Sequence, residues 1–270
     1  MIKIDYHTHH YRCGHATGTI EDYIRRAIES GLEEIGISDH APLFYRDGDD
    51  PGPGSAMAKS ELPKYVDEVL ALREKYRGQI TVRLGIESDY VEGMEAEYAT
   101  IYAQYPFDYL IGSVHFFDGR HIYDRNRWHR GANVEAAYRE YFHKVQMSAK
   151  SGLFDVLGHI TAVKAYSPKP PPQFLTDLYE ETLQMIAQHG CCVEINTSGY
   201  RKTQVEPFPD HEVIRMCIAR GIPLTYGSDC HAPGEIAHSH GRVESLLIEY
   251  GITELLTFDQ RNFVPIAWEI

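Results

Sequence analysis

A chain of 270 residues that is 43% hydrophobic and 24% charged can fill the core of one large α/β domain spanning 1–270. It carries no apolar run of membrane-spanning length. The formal net charge of −13 argues against nucleic acid as a partner, because phosphate backbones are held by clustered Lys and Arg, so a small anionic substrate would have to be drawn by local positive charge.

Taken in chain order, the sequence alternates short apolar runs with amphipathic ones. Strands are predicted at 2–6, 34–38, 80–87, 108–114, 154–158, 192–196 and 222–227. Between them lie helical patterns at 19–30, 61–77, 94–104, 133–151, 173–189 and 210–220, with another near 242–250. Thr19 before Glu21 and Asp22, and Asn133 before Glu135, read as helix starts with acidic first turns. Gly31, Gly152, Gly190 and Gly221 each close a helical run. Seven βα units in series predict a parallel barrel that is distorted relative to the eightfold form. Two loops interrupt the rhythm: 41–59, rich in Gly, Pro and Asp and a candidate lid, and the Pro-rich 166–172. The segment 253–270 gives no clear pattern.

Histidines and carboxylates recur just after the apolar runs. IKIDYHTH places His7 and His9, with His15 soon after; EEIGISDH places His40; TVRLGIE, Glu87; YLIGSVH, His115; FDVLGH, His159; and PLTYGSDCH, Asp229 and His231. A β/α barrel gathers the carboxyl ends of its strands on one face, so these scattered residues should meet there. Imidazole and carboxylate together suit divalent Zn, Mn, Fe or Co, and a carboxylate can bridge two ions. In each His-x-His or Asp-x-His pair, alternation aims both side chains to one face and turns Cys230 to the other. The reading is a centre with more than one metal ion.

Five cysteines, two of them adjacent at Cys191 and Cys192, do not form a disulfide framework, which points to a reducing cytoplasm. The chain opens directly on its first strand, leaving no room for a cleavable signal. His129, His143, His189 and His211 are read as surface or packing histidines, and His10 as facing away from the His7–His9 pair. His238 and His240 are read as loop residues. Trp128, Phe116, Phe117 and Tyr200 are expected to pack in the core.

The motifs HTHH, ISDHAP, GIESDY, GSVHFFDG, FDVLGHI, INTSGYRK and GSDCH resemble the polymerase and histidinol phosphatase (PHP) superfamily across nearly the whole chain. GSVHFFDG and FDVLGHI resemble its stand-alone histidinol-phosphate phosphatase branch rather than its polymerase-associated exonucleases. The resemblance implies a distorted (β/α)7 barrel with three divalent ions: His7, His9, Glu87 and Asp229 on the first, Glu87, His115 and His159 on the second, and His15, His40 and His231 on the third. It also implies hydrolysis of L-histidinol phosphate, in which a metal-bound hydroxide attacks phosphorus and no covalent enzyme intermediate forms. Asp229 would be a ligand that also orients the attacking group. Arg201 is expected to grip phosphate, with Lys164 standing where relatives carry arginine, and Asn196 and Ser198 adding hydrogen bonds. Two alternatives remain open: a PHP phosphoesterase acting on nucleotides or nucleic-acid 3′ ends, and an amidohydrolase-like metal hydrolase.

Overall fold

The computed structural model describes residues 1–52, 54–129, 131–202 and 205–267. Its elements in chain order are β1 (Ile4–Asp5), α1 (Ile20–Glu29), β2 (Glu34–Ile37), α2 (Leu62–Lys75), β3 (Thr81–Asp89), α3 (Glu95–Tyr102), β4 (Tyr109–Ser113), β5 (Phe116–Phe117), β6 (Arg120–His121), α4 (Val134–Lys150), β7 (Val156–Leu157), α5 (Pro172–His189), β8 (Cys192–Asn196), α6 (Ser198–Arg201), α7 (His211–Ala219), β9 (Leu224–Gly227), α8 (His240–Glu249), β10 (Glu254–Asp259) and β11 (Asn262–Ala267). Position 53 of the 41–59 loop and positions 268–270 of the tail lie outside the described residues.

The seven predicted strands form one parallel sheet in the order β1-β2-β3-β4-β7-β8-β9. Tyr6 N–H donates to the Tyr226 carbonyl and His9 N–H to that of Cys230, each at 3.0 Å, which joins the first strand to the last. The result is a (β/α)7 barrel. Its strands are buried on both faces, which is why they read as continuous apolar runs rather than alternating ones.

Local chemistry sets the helix ends as expected. Thr19 and Asp22 form a reciprocal capping box at α1, and Asn133 accepts from Ala136 N–H at the start of α4. Gly190 ends α5 with a φ of 71°, a left-handed turn that a side chain would strain.

Three features go beyond the predicted elements. A small hairpin, β5–β6, leaves the barrel after β4, and a single turn, α6, follows β8. The ambiguous tail is an antiparallel hairpin, β10–β11, under the opposite end of the barrel. There Phe258 packs its ring 5.1 Å from Tyr6 and 5.4 Å from Tyr109, inside the first and fourth strands. All five cysteines are free and buried, and Cys230 faces the core as alternation predicts. No helix among the described residues is long and apolar enough to cross a membrane.

Candidate metal centre

The strand ends deliver the nine predicted side chains to one place. Glu87 is the hub: its carboxylate oxygens lie 2.9 Å from His40 Nδ1, 3.0 Å from His159 Nε2, 3.3 Å from His7 Nε2, 3.5 Å from His9 Nε2 and 3.6 Å from His115 Nε2. Asp229 Oδ1 stands 3.2 Å from His9 Nε2 and 3.6 Å from His231 Nδ1. His15 and His231 meet with their Nε2 atoms 3.0 Å apart.

Glu87, His7, His9 and His159 are almost wholly buried, an expensive place for charge. Burial alone would raise the Glu87 carboxyl pKa, but His7, His40 and His115 outweigh it and hold it well below the usual range. Asp229 is likewise held low against burial, chiefly by His7 and His9. Burial disfavours a charged His7, yet Glu194, Glu87 and Asp229 pull its pKa well up; His115 rises to about 9 through Asp89 and Glu87 in the same way. The mirrored shifts describe carboxylates that need cations and, at His7 and His115, imidazoles pressed to provide them, whereas burial and neighbouring imidazoles lower His15, His40 and His231.

The donor set fits divalent ions. Nε2 of His7 and His9 and Nδ1 of His159 are buried with no hydrogen-bond partner, a state that costs free energy unless something else accepts the lone pair. Five overlapping groups offer ligand atoms within 4.8 Å of one another: His7, His9 and Glu87; His7, His159 and Asp229; His40, Glu87 and His115; His9, His40 and His231; and, outside the predicted set, His9, Cys13 and Asp39. The groups share members across the three expected ligand sets, so the geometry is one continuous cluster.

A second layer orients the first. Glu194 Oε1 lies 2.6 Å from His7 Nδ1, Asp89 Oδ1 3.1 Å from His115 Nδ1, and Asp39 Oδ1 3.3 Å from His9 Nδ1. A carboxylate on Nδ1 keeps the proton there and turns the Nε2 lone pair inward. Asn196 Nδ2 donates to both Glu194 (3.0 Å) and Asp229 (3.3 Å), and Ser113 Oγ to Glu87 (2.6 Å). Gly227 makes the pairing possible: a Cβ there would collide with Glu194 Oε1 and sit 2.6 Å from His7 Cβ. None of Glu194, Asp39 and Asp89 was singled out from sequence. One available signal is a carboxylate inside an apolar strand two residues before Asn196, where alternation puts both on the barrel interior.

His159 and Asp229 take positive φ, 29° and 53°, conformations that side chains adopt at a cost of about 1–3 kcal/mol and that cluster at functional sites. Arg201 is placed to hold the second of them. Its Nη2 donates to the carbonyls of Ser228 (2.9 Å) and Asp229 (2.7 Å), and its Nε faces Glu235.

A cavity of about 390 Å³ opens over the cluster, lined by His15, His40, His115, Asp229 and His231 and by Gly54, Ser55, Asp89, Phe116, His121, Tyr123 and Lys202. The 41–59 loop therefore reaches the site through Gly54 and Ser55. The expected phosphate group is placed differently. Arg201 donates through Nη2 to backbone carbonyls and leaves Nη1 buried without a partner, Lys164 pairs with Asp210, Asn196 serves Asp229, and buried Ser198 lies beside Asn196; the described lining includes none of them. The reason is reach: Arg201 follows β8 closely enough to meet the β9 turn, and Lys164 lies in a short helix facing the N-cap of α7. The cation on the wall is Lys202. His121, also overlooked, stacks on His115 with ring centroids 5.7 Å apart, and Phe116 is exposed at the mouth rather than in the core.

His10 packs away from the cluster, with Nδ1 3.1 Å from Asp39 Oδ2 and its ring on Tyr65. His240 begins α8 and rests edge-on against Tyr226.

A seven-stranded β/α barrel with a buried imidazole–carboxylate cluster at the carboxyl ends of its strands defines a barrel protein whose strand ends could hold metal ions. Residues 5–198 match the PHP domain, and the chain belongs to the PHP family. It is 32% identical over 267 residues to a probable histidinol-phosphatase of Deinococcus radiodurans, covering 97% of this chain and 98% of that one. It is 31% identical to the histidinol-phosphatase of Bacillus subtilis, covering 89% and 97%. In fold it is similar to the histidinol phosphate phosphatase of Lactococcus lactis, crystallised with zinc, L-histidinol and phosphate: the TM-score is 0.83, with 24% identity over 97% of this chain and 98% of that one.

Proposed function

We propose that this protein is a metal-dependent phosphomonoesterase that hydrolyses L-histidinol phosphate to L-histidinol and phosphate. The observation that carries the reading is the convergence of nine imidazole and carboxylate side chains, several with buried unpartnered nitrogens, in one cluster, five of them lining the cavity above it. Full-length similarity to proteins named histidinol-phosphatase supports the substrate, as does a fold neighbour holding zinc, L-histidinol and phosphate. Three ions would be held by His7, His9, Glu87 and Asp229, by Glu87, His115 and His159, and by His15, His40 and His231. Bound divalent ions supply an acidified water and positive charge against the phosphate oxygens and the departing alkoxide.

The chain's own residues do the rest. Glu194, Asp39 and Asp89 hold protons on Nδ1 of His7, His9 and His115, so each ring presents a lone pair to the cluster. Asn196 holds the Asp229 carboxylate and the Arg201 clamp holds the backbone carbonyls of its turn. Burial of the cluster strengthens every electrostatic contact made there. Arg201 acts in this reading as a positioning residue for Asp229. A cytoplasmic location suits five free thiols.

The test is phosphate release from L-histidinol phosphate, nucleoside monophosphates and a single-stranded oligonucleotide, using protein of measured metal content. Preference for histidinol phosphate by about tenfold or more is expected. Preference for a nucleotide or for the oligonucleotide end would replace the substrate while leaving the site intact.

A further inference from the structure

A phosphate monoester carries about two negative charges near neutral pH, and its oxygens demand cationic or hydrogen-bonding partners on every side. Lys202 is the one lysine or arginine lining the cavity among the described residues. Its Nζ stands 4.5 Å from the centroid of the Tyr123 ring, which belongs to the same wall. A ring face attracts an ammonium without neutralising it, so the charge is held in place and remains available. The backbone is fixed as well: Lys202 N–H donates to the carbonyls of Ser198 and Gly199, each at 3.2 Å, at the end of α6. The Tyr123 hydroxyl is buried with no hydrogen-bond partner. Of the neighbouring cations, Arg201 donates through Nη2 to two carbonyls and keeps a buried, unpartnered Nη1, Lys164 pairs with Asp210, and neither is in the described lining of the cavity.

We infer that Lys202 is a phosphate-contacting cation of this site, poised over Tyr123 to meet phosphoryl oxygens that the imidazole–carboxylate cluster does not engage. The inference rests on the phosphomonoesterase reading. Lysine offers a point charge rather than a planar fork, so the contact adds affinity with little demand on orientation and tolerates arginine.

The test compares metal-loaded wild type, Lys202→Met and Lys202→Arg by calorimetric titration with inorganic phosphate and by steady-state kinetics on L-histidinol phosphate, with metal content measured on each sample. Lys202→Met should weaken phosphate binding and raise KM by about tenfold, the scale of one charge-assisted hydrogen bond, with kcat within about threefold and metal content unchanged. Lys202→Arg should recover most of both. Equal phosphate affinity in Lys202→Met and wild type overturns the assignment. So does loss of metal in Lys202→Met that Lys202→Arg fails to restore. A wild type that binds phosphate through Lys202 but releases none from histidinol phosphate would instead defeat the substrate reading alone.

Discussion

The two ends of the barrel bury carboxylates in opposite ways. At the amino end, beside the β10–β11 hairpin, each is matched to arginine or to backbone N–H: Asp108 to Arg73 and to Leu84 N–H, Asp155 to Arg261 and to Leu110 N–H, Glu34 to Arg83. At the carboxyl end Glu87, Asp229, Asp39 and Asp89 face chiefly imidazoles, and some buried imidazole nitrogens have no hydrogen-bond partner. Charge compensated within the chain marks a structural end. Charge left for an ion to compensate marks a working one.

That contrast is broken most severely by removing a side chain proposed as a metal ligand. Asp229→Ala or His9→Ala should lower kcat/KM at least about a thousandfold and deplete bound metal, because each faces several other ligands. A near-normal rate in either would take that residue out of the site. One layer out, Glu194→Gln leaves the ligands but weakens the hold on His7, and metal affinity should fall about 10–100-fold, as read by competition with a chelator. Arg201→Ala, which frees the carbonyls around Asp229, should produce a smaller loss of the same kind.

At the other end the sign of the readout changes. Arg261→Ala strands the largely buried Asp155 and should cost about 1–2 kcal/mol in denaturant unfolding, with kinetics of the folded enzyme untouched. A kinetic defect there would erase the division between the two ends.

The last effect, at a histidine outside the cluster, shows only as a dependence on pH. Burial lowers the His240 pKa from 6.5 to about 4. Between those values the unfolded chain takes up a proton that the folded chain refuses, so stability falls as pH drops from 6.5 toward 4. His240→Gln should flatten that slope by up to about 1.4 kcal/mol per pH unit, and an unchanged slope would assign the acid sensitivity to other groups.

Seven strands and nine cluster residues were legible because barrel strands are buried on both faces and because a side chain just beyond such a run has one place to go. The orienting carboxylates were not. Glu194 meets His7 across 187 positions of sequence, and nothing local to CVEIN names that partner. Arg201 and Lys164 were legible as cations but not in their aim, since a long side chain reaches whichever carbonyl or carboxylate the tertiary fold brings near. Lys202, one residue beyond Arg201, holds the cavity wall instead. The tail was unreadable for a related reason: an exposed β11 with Pro265 in it lacks the periodicity of a buried strand.

Elemental analysis of the purified protein beside its Asp229→Ala variant tests the central claim most directly. The account predicts divalent metal in the wild type approaching three ions per chain, removed by chelation together with phosphatase activity and sharply reduced in the variant. A wild type that is fully active while free of metal would contradict it.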